Sequence, residues 1–99
     1  MAFVRIGRFR ALPDRMEELR AIYELEAIPA IRAAKGNVSA VLLQDHAECE
    51  SFMAITIWSG VEDAERYESS GQASAMVDKI RFAFAGPPVL NTYDAFGIA

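Results

Sequence analysis

Residues 38–58, VSAVLLQDHAECESFMAITIW, carry two apolar runs on either side of a short polar stretch. Val38–Asp45 and Ser51–Trp58 are rich in β-branched, aliphatic and aromatic residues, which predicts two strands. His46-Ala47-Glu48-Cys49-Glu50 between them suits a hairpin of about five loop residues. Alternation assigns Met53, Ile55 and Ile57 to one face of the second run, and Phe52, Ala54 and Trp58 to the other. In the first run Val41 and Leu43 oppose Val38, Ala40 and Leu42. A sheet with one wet face alternates apolar with polar residues, so this hairpin is expected to be covered on both sides.

Upstream, Ala2–Arg10 reads as a strand in which Val4 and Ile6 alternate with Phe3, Arg5 and Gly7. Leu12-Pro13-Asp14 ends it, and Asp14 with Glu17 has capping-box spacing for the helix that follows. That helix places Met16, Leu19, Ile22, Tyr23 and Ala27 on one side. Glu17, Glu18, Glu24 and Glu26 read as its wet side. Pro29 is expected to kink or restart it, with a short helical piece over Ile31–Ala34 ending at a left-handed Gly36. Downstream, Ser59-x-x-Glu62 is a second capping box, opening a helix through Tyr67 that Ser69-Ser70-Gly71 interrupts. Ala73, Met76, Val77, Ile80 and Phe84 then predict a helix over Gln72–Phe84, stopped by Gly86-Pro87-Pro88. Val89–Phe96 is the last strand. The order is β-α-β-β-α-β, an α+β ferredoxin-like arrangement with helices on one face of an antiparallel sheet.

The 99 residues form one expected domain, 1–99, with 53% apolar residues, which excludes disorder. A net charge of −4 argues against nucleic acid or an anionic membrane as partner. No apolar run reaches the roughly 20 residues that span a bilayer. Arg5, Arg8 and Arg10 interrupt the segment where a signal peptide would be apolar. The single Cys49 forms no internal disulfide, so a cytoplasmic location is expected. Two helical segments cover only one face of four strands, so the second apolar face is expected to meet its equivalent in a homodimer. The competing expectation is a monomer whose loops cover that face.

Few residues are candidates for chemistry. One histidine and one cysteine make no zinc site in one chain. His46 and Cys49 share the hairpin tip, but Glu48 and Glu50 flank the thiol and disfavour thiolate, so this reads as a solvated loop. The isolated glycines form no phosphate-binding loop. Arg5, Arg8 and Arg10 read as solvated or interface ion pairs, with anion recognition as the competing role. Trp58, Tyr23 and Tyr67 are the most suggestive group: aromatic bodies with polar tips, between sheet and helices, are able to line a cavity. Ordinary core packing is the plain alternative for each.

The chain resembles the antibiotic-biosynthesis-monooxygenase-like family of dimeric α+β barrels. The resemblance runs from Phe3-Val4-Arg5-Ile6 and Leu12-Pro13-Asp14, through the Gly36 bend, to Ile55-Thr56-Ile57-Trp58-Ser59 with Glu62-Asp63-Ala64. It closes on Asn91-Thr92-Tyr93-Asp94 and spans nearly the whole chain. Such a resemblance implies a homodimer and, in one branch, oxidation of phenols or quinols by O₂ without metal, flavin or other cofactor. The protein then supplies orientation, a base and stabilisation of the substrate anion. Trp58 matches the family tryptophan ending strand three. Where the polyketide-tailoring branch carries an asparagine and a tyrosine, this chain has Ala54 and Ala64. A haem-degrading branch needs an asparagine, a tryptophan and a histidine where this chain has Gly7, Tyr67 and Val77, which disfavours haem degradation.

Two functions from different classes follow. One is a cofactor-independent monooxygenase for a small phenolic or quinol-type compound, with Trp58, Tyr23 and Tyr67 lining the pocket and Arg81 or Asn91 as polar contacts. The other is a non-catalytic homodimer that binds a small apolar metabolite. A fold with a filled interior is the third possibility.

Overall fold

The computed structural model describes residues 1–98. Four strands, β1 (Ala2–Arg10), β2 (Asn37–Gln44), β3 (Ser51–Trp58) and β4 (Val89–Ala95), form one sheet in the order β2-β3-β1-β4. Every neighbouring pair is antiparallel. The expected ferredoxin-like α+β architecture is therefore the one found, with β1 and β3 central.

Register explains which side chains meet the helices. Phe3, Arg5, Gly7 and Phe9 of β1 lie opposite Trp58, Thr56, Ala54 and Phe52 of β3. These rows form the floor of the core, where Phe9 and Phe52 stack with ring centroids 5.5 Å apart. Leu19 and Trp58 are its largest fully buried side chains. The opposite rows, Val4, Ile6 and Arg8 of β1, Met53, Ile55 and Ile57 of β3, and Val41 and Leu43 of β2, form the other face. No element of this chain packs over it among the described residues, and Val41, Leu43, Val89 and Tyr93 are exposed there. Val38 sits in a bulge where Asn37 and Ser39 face consecutive residues Trp58 and Ile57.

The first helix differs from expectation at both ends and in the middle. Asp14 makes no capping bond; it lies inside a 3₁₀ turn, Pro13–Arg15, whose Arg15 N–H donates to the Leu12 carbonyl at 2.9 Å. Proline at the head of that turn loses no hydrogen bond. The helix then runs without a break as α1 (Met16–Ile22), a π turn (Tyr23–Ala27) and α2 (Ile28–Arg32). As expected, α geometry restarts at the proline: after the π turn, α2 begins at Ile28 with Pro29 in its first turn. Leu19, Tyr23, Ala27 and Ile31 are all buried at spacings of four. In α geometry such a row drifts by about 40° per step, and a wider turn takes up the drift. The Ile28 N–H reaches back five residues to Tyr23, just before the position where proline offers no donor.

Gly36 adopts φ of +82°, as expected for a left-handed cap. The second capping box does not form either: Gly60 is the cap residue of α3 (Val61–Ser69), and the Ser59 Oγ donates to the Gly36 carbonyl at 3.2 Å instead. α4 (Gln72–Ile80) stops earlier than expected and tightens into a 3₁₀ turn, Arg81–Ala83. Asp45 opens the β2–β3 loop, its carboxylate accepting from the Ala47 and Glu48 N–H groups. Those bonds hold its carboxyl below the usual aspartate range. Among the described residues no helix is long and apolar enough to cross a membrane.

Candidate functional site

A cavity of about 320 Å³ lies between the floor of the sheet and the helices. Its size falls at the lower end of small-molecule sites, roughly 300–1,000 Å³. β3 contributes Ala54, Thr56 and Trp58, and β1 contributes Arg5, Gly7 and Phe9. Tyr23 enters from the π turn, Tyr67 from α3, and Met76, Val77 and Ile80 from α4. Most of the wall is apolar, and Arg5 is the one formally charged residue in it. A wider hollow of about 670 Å³ touches Arg8, Leu43 and Met53 as well as Phe9 and Phe52. Its walls belong to both faces of the sheet, so it is a groove around the sheet end rather than an enclosed site.

Trp58, Tyr23 and Tyr67 come together as expected. The Trp58 and Tyr67 rings are 5.3 Å apart, and the indole N–H donates to Thr56 Oγ1 at 2.9 Å, two residues along the same strand face. Trp58 is thereby fixed in orientation with its polar atom satisfied. Neither tyrosine hydroxyl has such a partner among the described residues, and that of Tyr67 is fully buried and unpaired. Burial, with the neighbouring Tyr67, pushes Tyr23 up to about 12. Burial also raises Tyr67, while the nearby Arg5 guanidinium pulls it down in part. Both phenols are protonated donors at neutral pH.

Arg81 and Asn91 are not part of this cavity. Arg81 is exposed and pairs with Asp78 at 2.9 Å. Asn91 lies opposite Ile6 on the other face of the sheet, where its side-chain oxygen accepts from Arg8 at 3.2 Å. His46 and Cys49 stay in the hairpin loop, with Cys49 exposed.

Arg5, for which ion pairing and anion recognition were the two competing roles, lines the cavity and is ion-paired. Its parity with Phe3 and Phe9 along β1 was the available signal, since residues two apart share a face. The side chain is mostly covered, with 14% exposed, and Nη1 donates to Glu68 Oε2 of α3 at 2.8 Å. Gly7 and Val77, which stand where the haem-degrading pattern needs asparagine and histidine, both line the cavity. The lining offers no imidazole, thiolate or carboxylate, so it does not fit haem iron held by histidine. Among the described residues no cluster of three His, Cys, Asp or Glu side chains is placed to hold a metal ion.

No curated protein matches the chain in sequence. Solved structures match it closely in fold. A proposed antibiotic biosynthesis monooxygenase from Nitrosomonas europaea superposes with a TM-score of 0.85 at 16% identity, over 95% of this chain and 89% of that one. Another from Bordetella bronchiseptica gives 0.82 at 17% identity, over 96% and 97%. A variant of SnoaB, a cofactor-independent oxygenase from Streptomyces nogalater, gives 0.84 at 14% identity, over 98% and 95%. At these identities the likeness concerns the fold. The family model for antibiotic biosynthesis monooxygenases matches residues 2–79, which takes in β1 to β3 and nearly all of both helical segments. The chain belongs to the antibiotic biosynthesis monooxygenase family.

Proposed function

We propose that the protein is a cofactor-independent monooxygenase that oxidises a small phenolic or quinol-type aromatic compound in the cavity beside Trp58. The observation that carries this reading is the apolar cavity itself, with Arg5, Thr56, Tyr23 and Tyr67 as its few polar groups. A flat electron-rich ring is held by the aromatic and aliphatic walls, and water is largely kept out. The ionised substrate gives an electron to O₂. One oxygen atom ends as the new carbonyl, and the other leaves as water with the hydrogen of the oxidised ring carbon and the proton given up by the hydroxyl. Arg5 offers positive charge to the substrate oxyanion, and protonated phenols offer hydrogen bonds. The test is O₂ consumption with a panel of quinols and hydroxyanthrones. Uptake above the uncatalysed rate, lost on filling the cavity with Ala54→Phe, is the expected result; no uptake with any of them overturns the reading.

The same reading includes a homodimer joined through the uncovered sheet face, supported by the apolar rows of Val4, Ile6, Ile55 and Ile57. A non-catalytic binding role is favoured by one specific observation: the lining has no carboxylate or imidazole to act as base. A ligand carried through purification and recovered unchanged in air would establish that role instead.

A further inference from the structure

We propose that Arg5 makes the cavity selective for an aromatic compound bearing a carboxylate, which takes the guanidinium over from Glu68; this rests on the cavity being the ligand site. Arg5 stands midway along central strand β1, between Thr56 and Thr92 of the flanking strands. Its side chain is 14% exposed, whereas the arginines in the other ion pairs keep 48% or more. Its side chain therefore lies largely against the protein. Only Nη1 is engaged, by one oxygen of Glu68. Nε and Nη2 have no protein partner among the described residues, and they are not among the fully sealed polar atoms.

A guanidinium presents its donors as a planar fork that fits both oxygens of a carboxylate. Glu68 uses that fork poorly, end-on and from a side chain that is 59% exposed. An ion pair with a solvated partner contributes little to stability, so Glu68 is free to turn into water at small cost. A carboxylate arriving inside the cavity meets the same cation in apolar surroundings, where the attraction is stronger and a two-pronged contact is available. No other formal charge lines the cavity to oppose or assist it. A neutral ligand leaves the Arg5–Glu68 pair in place and gains none of this. Glu68 is thus a resident stand-in for the ligand's own acid group.

Calorimetric titration of the full chain with 1-naphthoate and with 1-naphthamide separates the outcomes. These probes share ring and shape and differ in charge. The expected result is about tenfold tighter binding of the naphthoate. Arg5→Gln is expected to abolish that preference, so that the two probes bind equally to the variant. Glu68→Gln, at an exposed site, is expected to tighten naphthoate about threefold or more by removing its competitor. Equal binding of the two probes overturns the proposal and leaves the cavity reading standing. Binding of neither overturns both. Weaker naphthoate binding in Glu68→Gln also overturns it, because Glu68 would then be a helper rather than a rival.

Discussion

A buried hydroxyl without a partner is unfavourable, since desolvating it costs about 1–3 kcal/mol that no hydrogen bond returns. Tyr67 carries such a group in the cavity wall. Tyr67→Phe is expected to leave stability unchanged or raise it by about 1 kcal/mol in urea unfolding, while weakening any ligand that accepts from the phenol. A loss of stability would mean the hydroxyl is satisfied in solution. Tyr23 adds a pH signature. Its folded pKa of about 12 lies above the ordinary 10, so its contribution is complete below pH 10 and disappears as pH rises through 12. The free energy of unfolding should fall across that window, by up to roughly 2–3 kcal/mol from this group, and Tyr23→Phe should flatten the fall. Trp58, Tyr23 and Tyr67 were legible in the sequence because each sits on an apolar face. Arg5 was legible only as one of three arginines with a competing anion-binding role, because a charged residue in a strand is ordinarily solvated. Arg81 and Asn91 failed for local reasons: one has its own carboxylate partner, and the other has the parity of Ile6.

At the scale of elements, alternation and helical spacing gave every strand to within a residue or so at its ends, and both helical segments. Neither expected capping box forms. Asp14-x-x-Glu17 and Ser59-x-x-Glu62 have the right spacing, yet a cap also needs its residue in extended backbone immediately before the helix. Asp14 falls inside the turn that Pro13 starts, and the Ser59 hydroxyl is occupied by the Gly36 carbonyl. The π turn has two separate signals in the sequence, the four-residue spacing from Leu19 to Ile31 and the proline at position 29. Gly36 is where two elements are locked together. Its φ of +82° disfavours any side chain, and a Cβ there would collide with the Asp63 carboxylate of α3. Gly36→Ala is expected to cost about 1–3 kcal/mol in thermal or urea unfolding. A cost below about 0.5 kcal/mol would show that α3 moves aside freely.

Across the whole molecule, the two faces of the sheet have different fates. One is closed by the helices and holds the cavity; the other presents Val4, Ile6, Val41, Leu43, Ile55 and Tyr93 with no cover from this chain among the described residues. A patch of that kind on a small domain marks an association surface. Sedimentation at micromolar concentration is expected to give twice the 10.9 kDa of one chain. Ile55→Glu, central on that face, is expected to yield the single-chain mass with circular dichroism unchanged. A folded protein of 10.9 kDa in the unaltered form would refute the pairing.

Because β1 and β3 each turn one row of side chains toward the helices and the other toward the bare face, the sheet is a partition. Two chains joined back to back would keep their hollows on the far sides, with two layers of backbone between them. Occupancy of one hollow then has no direct route to the other, and saturation would follow a simple hyperbola with one guest per chain.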